Sequence, residues 1–385
     1  MSQKKALVTA SVASMIDLFN MDNIRILQEA GYEVHVAANF AFGSITSQER
    51  VEEFRKELLD AGVLVYHIPI PRSIRAIKNI LLSYRQMKQL IETEEYHIVH
   101  TQSPIGGVIT RFAAGKVRKK GTRVIYTAHG FHFFCGASKF NWLLFYPIER
   151  VLSRYTDVLI TINQEDYDRA NTFHAGEVCY VPGIGVDVDR LQASAGRRED
   201  LRKEFGFSEE DFVFLSVGQL SKRKNQETII RVLEKLPDEH IKYLVVGLGE
   251  MEGTDRELIS RYNLEDRVVL AGYRADIVAL MQMADAFVFP SLQEGLPVAL
   301  MEAMAVGLPV IASRIRGNTD LIRDGVEGRL VEPMDIEGYA RAMTEIIHQP
   351  QKAQEYGINA IKRMRRFNIE CVHTKMKEIY EKFEN

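Results

Sequence analysis

Short apolar runs alternate with amphipathic segments along most of the chain. The runs are KALVTA, YEVHVAA, VLVYHI, HIVHT, RVIYTA and DVLITI in the first part, then FVFLSV, KYLVVG, RVVLAG, AFVFP and PVIAS after Val186. Between them lie segments with helical periodicity, such as SQERVEEFRKELLDAG, whose apolar residues are Val51, Phe54, Leu58 and Leu59. Strands alternating with helices predict parallel sheets covered on both faces. The predicted class is α/β, with two doubly wound parallel-sheet (Rossmann-like) domains.

The pattern also places the domain boundary. Proline, glycine and aspartate interrupt the alternation in YVPGIGVDVDRL, near residues 182–189. A chain of 385 residues exceeds the usual size of one core, so we predict an N-terminal domain over 1–185 and a C-terminal domain over 186–367. No strand is predicted from Asp335 onward, and a last helix over residues 368–385 is expected to pack back on the first domain.

Composition and charge narrow the function classes. The chain is 46% hydrophobic and 26% charged with a formal net charge of -3, which gives no support for a nucleic-acid-binding protein. The cysteines Cys135, Cys179 and Cys371 form no paired framework and favour a reducing compartment. The first apolar run is interpreted as a strand, and no stretch reaches the ~20 apolar residues that span a bilayer. We expect a cytoplasmic protein, with the inner face of the cell membrane as a further expectation.

One segment repeats the same four residues at both ends: EGLPVALMEAMAVGLPVIA. Pro297 suits the start of a helix because it has no N–H to leave unpaired. Gly307 suits a helix end of positive φ, and Pro309 prevents continuation. The segment thus predicts a very short helix whose N-terminus lies at the carboxyl ends of the strands, where phosphate-bearing ligands bind. Glu294 precedes this helix and Glu302 lies inside it, so two carboxylates are available to accept hydrogen bonds from a diol.

Glu294 and Glu302, separated by seven residues, resemble the E-x7-E signature of the family 4 glycosyltransferases, retaining enzymes of the GT-B fold. Further similar stretches are VGQLSKRKN, LVVGLGE, VVLAGYRADI, DLIRDGVEGRLVEP, YTAHG and VPGIGVD. The resemblance implies two Rossmann-like domains that face each other across a cleft, with the donor bound mainly on the second. YTAHGFHFF and NWLLFYPIERVLSRYTDVLITIN are similar to the branch that makes bacterial capsular and exopolysaccharide.

The resemblance also implies roles for individual residues. Glu302 would bind the ribose hydroxyls of a nucleotide sugar, and Glu294 would contact hydroxyls of the transferred sugar. The sugar and phosphate would be lined by the backbone at Gly295, Leu296, Pro297 and Val298.

Lys224 matches the phosphate-binding lysine of the family, and Arg223 beside it is a second candidate. Gly218 and Tyr273 lie in two further similar stretches and are also expected at the donor. His129 matches the histidine that approaches the donor sugar, so the expected catalytic residues are His129, Glu294 and Lys224.

Two positions depart from the family pattern. Gln219 stands where the family often has arginine, so neutralisation of the phosphates would depend more on Lys224 or Arg223. The N-terminal loop reads ASVASMIDLFN and lacks the frequent glycine pair, so no donor contact is assigned there.

Other chemistries have weaker support. His129, His132 and Cys135 have a zinc-like spacing, but no fourth ligand stands near and phenylalanines interleave. Asp187 and Asp189 form a D-x-D, yet they lie in the linker, where a turn or helix cap is expected. GLGEMEG does not have the dinucleotide spacing. We therefore expect no cofactor and no metal requirement.

The acceptor is expected to be a glycan hydroxyl, and the polysaccharide resemblance implies a sugar on a polyprenyl diphosphate at the cytoplasmic leaflet. Residues 61–91 contain no acidic residue, and the basic segment 72–88 carries an apolar stripe of Ile77, Leu81 and Tyr84. Such a helix can lie on anionic lipid. A second basic cluster contains Lys116, Arg118, Lys119, Lys120 and Arg123.

The function predicted from these observations is transfer of a hexose-type sugar from a nucleoside-diphosphate sugar, with UDP as the commonest choice in the family. Two alternatives stay open. One is a sugar-nucleotide epimerase or hydrolase of the same fold. The other is a non-catalytic nucleotide-sugar-binding subunit, which Gln219 and the missing glycine pair favour.

Overall fold

The computed structural model describes residues 3–44, 46–194 and 196–383. The chain separates into two compact units. The first comprises the chain up to Ile184 together with the segment from Cys371, and the second is Gly185–Glu370. The boundary predicted after residue 185 falls one residue beyond this division.

The first unit is built on a seven-stranded parallel sheet of order β3-β2-β1-β4-β5-β6-β7. Within the described residues its strands are β1 Lys5–Val12, β2 Glu33–Asn39, β3 Leu64–His67, β4 Ile98–Gln102, β5 Arg123–Ala128, β6 Val158–Thr161 and β7 Glu177–Tyr180. Its helices up to the linker are α1 Ala13–Phe19, α2 Met21–Glu29, α3 Gln48–Asp60, α4 Ile77–Glu94, α5 Pro104–Ala114, α6 Lys139–Leu152 and α7 Gln164–Ala170. Short 3-10 turns cover Val117–Lys120 and Ser153–Tyr155.

The second unit repeats the plan with a six-stranded parallel sheet of order β10-β9-β8-β11-β12-β13. Its strands in the described part of the chain are β8 Phe212–Val217, β9 Ile241–Val246, β10 Val268–Leu270, β11 Ala286–Phe289, β12 Val310–Ser313 and β13 Gly328–Val331. Its helices are α8 Val188–Ala193, α9 Arg198–Phe205, α10 Gln226–Lys235, α11 Glu252–Arg261, α12 Ile277–Met283, α13 Val298–Ala305, α14 Asn318–Leu321, α15 Ile336–His348 and α16 Pro350–Met364. A 3-10 turn over Arg365–Phe367 leads to α17 Ile369–Glu381.

Apolar runs become strands because both faces of each sheet are covered. In β4 all five residues are buried, with Ile98 in the core on one face and Val99 in the core on the other. Every apolar run identified in the sequence contains a strand. Two strands were not predicted, β7 and β13, because EVCY and GRLV are short and include polar residues or glycine.

One apolar residue of the α3 pattern does not face the core. The buried face of α3 carries Val51, Phe54 and Leu58, whereas Leu59 is 51% exposed. Leu59 lies about 100° around the helix from Leu58, which turns it away from the sheet.

The C-terminal helix α17 packs on the first unit. Val372, Met376, Ile379 and Tyr380 belong to the hydrophobic core of that unit, at the spacing of one helix face. The Tyr380 hydroxyl also lies 2.7 Å from Nδ1 of the buried His100 on β4. Among the described residues no helix is both long and apolar enough to cross a bilayer.

Candidate active site

The predicted ligand-binding residues of the second unit gather where its sheet changes winding direction. Strands β8 and β11 are neighbours, and the chain builds outward from them to opposite edges. Gly218 follows β8 directly and Glu294 lies in the loop after β11. Loops at such a switch point diverge and leave a crevice at the carboxyl ends of the strands, which is the usual ligand site of open α/β sheets.

Lys224 is the cation at this position. Its Nζ lies 2.8 Å from Oε1 of Glu294 and 4.5 Å above the centre of the Phe289 ring. The side chain is only 13% exposed. Burial lowers the pKa of Lys224, while the Glu294 carboxylate acts in the opposite direction. The ammonium is therefore a partly desolvated charge held by a single carboxylate.

Asn225 fixes the loop that carries Lys224. It adopts a left-handed conformation with φ 59°, and its Nδ2 donates to the carbonyls of Pro290 at 3.0 Å and Pro333 at 3.1 Å. The Thr228 hydroxyl donates to Asn225 Oδ1 at 2.9 Å. Sequence reasoning did not find Asn225. The available signal was an asparagine, which tolerates this conformation, directly before a helix.

Glu294 is held from several sides. Its side chain is 9% exposed and accepts from Arg223 Nη1 at 2.8 Å as well as from Lys224. Arg223 Nη1 also donates to the Gln293 carbonyl at 2.9 Å, and Arg316 Nε donates to the Glu294 carbonyl at 3.2 Å. Arg316, on the loop after β12, was not predicted. The structure thus brings Glu294, Lys224 and Arg223 together.

The loops after β8 and β9 meet at van der Waals distance, and this requires glycine. Gly218 has φ +152°, and a Cβ there would lie 3.1 Å from Lys224 Cε. Gly247 has φ +146°, and a Cβ there would lie 2.0 Å from the Gly218 carbonyl oxygen. Gly247 of GLGEMEG therefore serves the approach of two backbone loops, which explains a glycine here without the dinucleotide spacing.

Helix α13 is the short helix that the repeated tetrapeptide predicts. Pro297 is its N-cap and Gly307, with φ +88°, follows its end. Its N-cap residue makes no side-chain capping hydrogen bond within the described chain, so the first amides of the helix can donate to a ligand. Glu302 on this helix is half-buried, and burial raises the pKa of its carboxyl, partly offset by Arg190. Neither a hydrogen bond nor an ion pair joins the Glu302 carboxyl to another described residue, so it can accept from ligand hydroxyls.

The remaining predicted residues differ in their settings. Leu296 is buried, and Gly295 and Val298 are half-buried. The backbone at Gly295 is close to that of Gly317, since a Cβ on Gly317 would lie 2.4 Å from the Gly295 carbonyl oxygen. Tyr273 is 78% exposed, in the loop after β10. Gln219 donates from Nε2 to Glu250 at 3.4 Å. Their roles toward a ligand stay predictions.

His129 lies in the first unit, directly after β5. It borders a pocket of about 90 Å³ at the carboxyl ends of β4, β5 and β6, together with Gln102, Thr127 and Gly183. Its Nε2 contacts Gln102 Oε1, and its ring is 5.8 Å from that of Phe19. Because an amide oxygen only accepts, this contact assigns the proton to Nε2 and leaves Nδ1 as an acceptor. Sequence reasoning did not single out Gln102.

Burial lowers the pKa of His129 to about 4, from an ordinary value of 6.5. The folded protein therefore keeps this ring neutral where the unfolded chain takes up a proton, so stability is lost as pH falls from 6.5 toward 4.

In the His129→Gln variant we expect the free energy of unfolding to fall less steeply with pH in this range, by up to about 1.4 kcal/mol for each pH unit. Denaturant unfolding between pH 7 and 4 measures the free energy of unfolding of the wild type, of this variant and of a control, His174→Gln, at an exposed histidine. If this free energy falls equally steeply with pH in all three proteins, the lowered pKa of His129 is contradicted.

The alternative metal motifs have structural roles. The His132 ring lies 4.7 Å from the Phe145 ring, and Cys135 is exposed. Asp187 caps α8 by accepting from the Arg190 amide at 3.0 Å, and Asp189 pairs with Arg365 at 2.7 Å. Over the part of the chain that the structure describes, no three histidine, cysteine or carboxylate side chains cluster as metal ligands.

Comparisons with known proteins cover both units. A family model described as Glycosyltransferase Family 4 matches residues 21–190, and one described as Glycosyl transferases group 1 matches residues 197–363. The putative glycosyltransferase EpsD of Bacillus subtilis (strain 168) is 37% identical over 99% of this chain and 97% of its own length.

A second relative is the UDP-Gal:alpha-D-GlcNAc-diphosphoundecaprenol alpha-1,3-galactosyltransferase of Escherichia coli. It is 32% identical over 75% of this chain and 76% of its own length. Among solved structures, Anabaena Alr3699/HepE in complex with UDP and glucose matches with a TM-score of 0.79 and 21% identity, covering 98% of this chain and 100% of that one. At that identity the likeness concerns the fold alone.

Proposed function

This chain belongs to the family 4 glycosyltransferases, and we propose that it is a retaining hexosyltransferase that uses a nucleoside-diphosphate sugar, with UDP as the nucleotide. Its two doubly wound domains have the GT-B fold. The acceptor in this proposal is a hydroxyl of a lipid-linked glycan in cell-surface polysaccharide synthesis.

One observation carries the proposal: the buried ion pair of Lys224 and Glu294 at the switch point of the second sheet. A lysine there can bind a diphosphate, and the carboxylate can turn to sugar hydroxyls when the phosphates neutralise the lysine. The UDP and glucose named for the Anabaena structure and the UDP-galactose named for the Escherichia coli relative support UDP as the nucleotide.

In the proposed complex, the diphosphate lies between Lys224 and the N-terminal amides of α13. Negative charge grows on it as the bond to the sugar breaks, and a desolvated ammonium at fixed distance stabilises that charge more than a hydrated one. Glu302 accepts from the ribose hydroxyls. This geometry needs no metal ion to neutralise the leaving group, so we propose metal-independent transfer.

Retention follows in this proposal from attack on the sugar face from which the diphosphate leaves. The leaving phosphate helps to accept the proton of the acceptor hydroxyl. His129 contributes a neutral ring whose Nδ1 accepts a hydrogen bond from the substrate, with Gln102 holding the ring orientation. Exclusion of water limits hydrolysis of the activated sugar.

The Glu302→Ala variant tests the donor site. We expect weaker donor binding by ~1 to 3 kcal/mol, because hydrogen bonds to a carboxylate are lost. The measurement is thermal protection by UDP-, GDP- and ADP-sugars, followed by titration of the best one. Glu257→Ala, an exposed carboxylate of α11, is the matched control. Unchanged affinity would remove Glu302 from the site, and tight donor binding without transfer to any acceptor would favour the non-catalytic alternative.

Peripheral membrane contact is proposed for the start of α4. The basic segment 72–88 is a turn up to residue 76 and a helix from Ile77, and Ile77 and Leu81 are 64% and 55% exposed. Removing two cations with Lys78→Gln and Arg85→Gln should weaken binding to anionic vesicles by about 2 kcal/mol, since each cation near such lipid contributes ~1 kcal/mol. Co-sedimentation measures this against the matched pair Lys119→Gln and Lys120→Gln. Equal binding of both double variants would contradict the location.

A further inference from the structure

The first unit contains a second pocket, on the opposite face of its sheet from the His129 pocket. It has a volume of about 140 Å³ and is enclosed by the loop before α4 and by α4, α5, α6 and the segment after β5. Its walls include Ile74, Val108, Tyr126, Phe133, Ile148 and Glu149.

The lining is almost entirely hydrocarbon and aromatic. The lining includes the carboxylate of Glu149, which lies 2.9 Å from the guanidinium of the fully buried Arg111. Arg111 in turn lies 3.8 Å from the centre of the Tyr126 ring. Since this charge is neutralised inside the fold, the pocket offers an apolar ligand a wall without an unpaired charge.

The pocket reaches the surface through apolar side chains with cations beside them. Ile74 and Ile148 line it and are still 51% and 37% exposed. Arg75 follows Ile74 directly and Lys78 lies in the first turn of α4; both are exposed. No ion pair joins either cation to another residue of the described chain, and residues 61–91 contain no acid that could form one. Arg75 is therefore the cation next in the chain to the exposed edge of the pocket at Ile74, where it is available to an anionic group on an apolar ligand.

The apolar pocket lies beside the pocket of His129, at the same end of strand β5. Tyr126 and Thr127 are consecutive on β5 and point to opposite faces of the sheet, Tyr126 into this pocket and Thr127 into the pocket of His129. Gly130 borders this pocket and His129 borders the other. Both pockets therefore share the carboxyl end of β5.

We infer that this pocket binds the hydrocarbon chain of a polyisoprenyl-diphosphate-linked acceptor, with Arg75 available to the diphosphate. The inference rests on the proposed function and deepens it, because it names the part of the chain that recognises the lipid. Branched isoprene units match a wall of isoleucine, valine and phenylalanine, and their burial is favourable in proportion to the apolar area removed from water.

The chain carries its own reporter for this site. Trp142 is the single tryptophan in the sequence, and its ring lies 5.7 Å from that of Phe133 in the pocket wall. Titration with geranylgeranyl monophosphate, below its aggregation concentration, should change the Trp142 fluorescence to saturation. Inorganic phosphate at equal concentration should not. Absence of a saturable change with the lipid would overturn the inference.

Two variants and a matched control locate the binding. Ile148→Asp places a charge at the mouth and Val108→Phe fills the cavity, and each should raise the dissociation constant for geranylgeranyl monophosphate about tenfold or more. Val151→Asp lies on the same helix, is 51% exposed and does not line the pocket, so it should bind as the wild type does. Circular dichroism checks that all three fold. Equal dissociation constants for all three variants and the wild type would overturn the inference. So would a finding that the lipid makes the protein self-associate and that Ile148→Asp abolishes this self-association, because the apolar mouth would then be a contact between copies of the chain.

Transfer assays separate this inference from the proposed function. The ratio of KM for a lipid-linked acceptor to KM for a soluble acceptor with the same sugar should rise about tenfold in Ile148→Asp and stay at the wild-type value in Val151→Asp. Lipid binding sensitive to Ile148→Asp but no transfer to any acceptor would support the pocket and contradict the proposed function. Transfer to lipid acceptors with an unchanged ratio would contradict the pocket alone.

Discussion

Replacing Lys224 with methionine is expected to lower kcat/KM for sugar transfer about 100- to 1,000-fold, the usual effect of removing one stabilising group from a charged transition state. Methionine keeps a similar length and an apolar stem against Phe289, but it has no charge for the departing diphosphate. Glu294 keeps its ion pair with Arg223 in this variant, so the local structure should persist. Steady-state kinetics with saturating acceptor should show that kcat falls more than KM rises.

Lys222→Met is the matched control for Lys224→Met. Lys222 is an exposed cation two residues earlier in the same loop, and no ion pair joins it to another described residue. Its removal should leave kcat/KM within about twofold of wild type, as for most surface substitutions. Equal losses in both variants would mean that the general charge of the loop matters, and no loss at Lys224 would remove it from the reaction.

Replacing Gly247 with alanine is expected to lower the free energy of unfolding of the second unit by about 2 to 4 kcal/mol. Its φ of +146° is a conformation that side chains rarely adopt, and the new Cβ would lie 2.0 Å from the Gly218 carbonyl oxygen. Relief of that contact must move the loop after β8, which carries Lys224. We therefore expect reduced thermal protection by the donor in addition to lower stability.

Gly253→Ala on α11 is the control, because nothing lies within 4 Å of its Cβ position and its φ is not positive. Alanine in the first turn of this helix should stabilise the unit slightly, by up to about 1 kcal/mol. Chemical denaturation followed by circular dichroism measures both variants. Equal stabilities for Gly247→Ala and the wild type would contradict the close approach of the loops after β8 and β9.

The sequence alone determined the features that depend on neighbouring residues. Apolar runs with intervening helical periodicity predicted the alternating strands and helices of both units, because burial on two faces leaves a local pattern. Pro297 and Gly307 predicted where α13 begins and ends, because each restricts or permits a backbone conformation at its own position. Strands β7 and β13 escaped prediction, since EVCY and GRLV are short segments that include polar residues or glycine and carry no clear apolar run.

Only the tertiary structure decided the contacts between distant positions. Lys224 and Glu294 are 70 residues apart, and they meet because β8 and β11 are adjacent in the sheet order. The same sheet order brings Asn225 within hydrogen-bond distance of the Pro290 and Pro333 carbonyls in two other loops. It also places Gly247 against the Gly218 carbonyl. Leu58 and Leu59 have the same side chain, yet only the direction of α3 against its sheet buries one and exposes the other. Periodicity fixes which faces can pack, whereas the sheet order and the path of the loops decide which residues meet there.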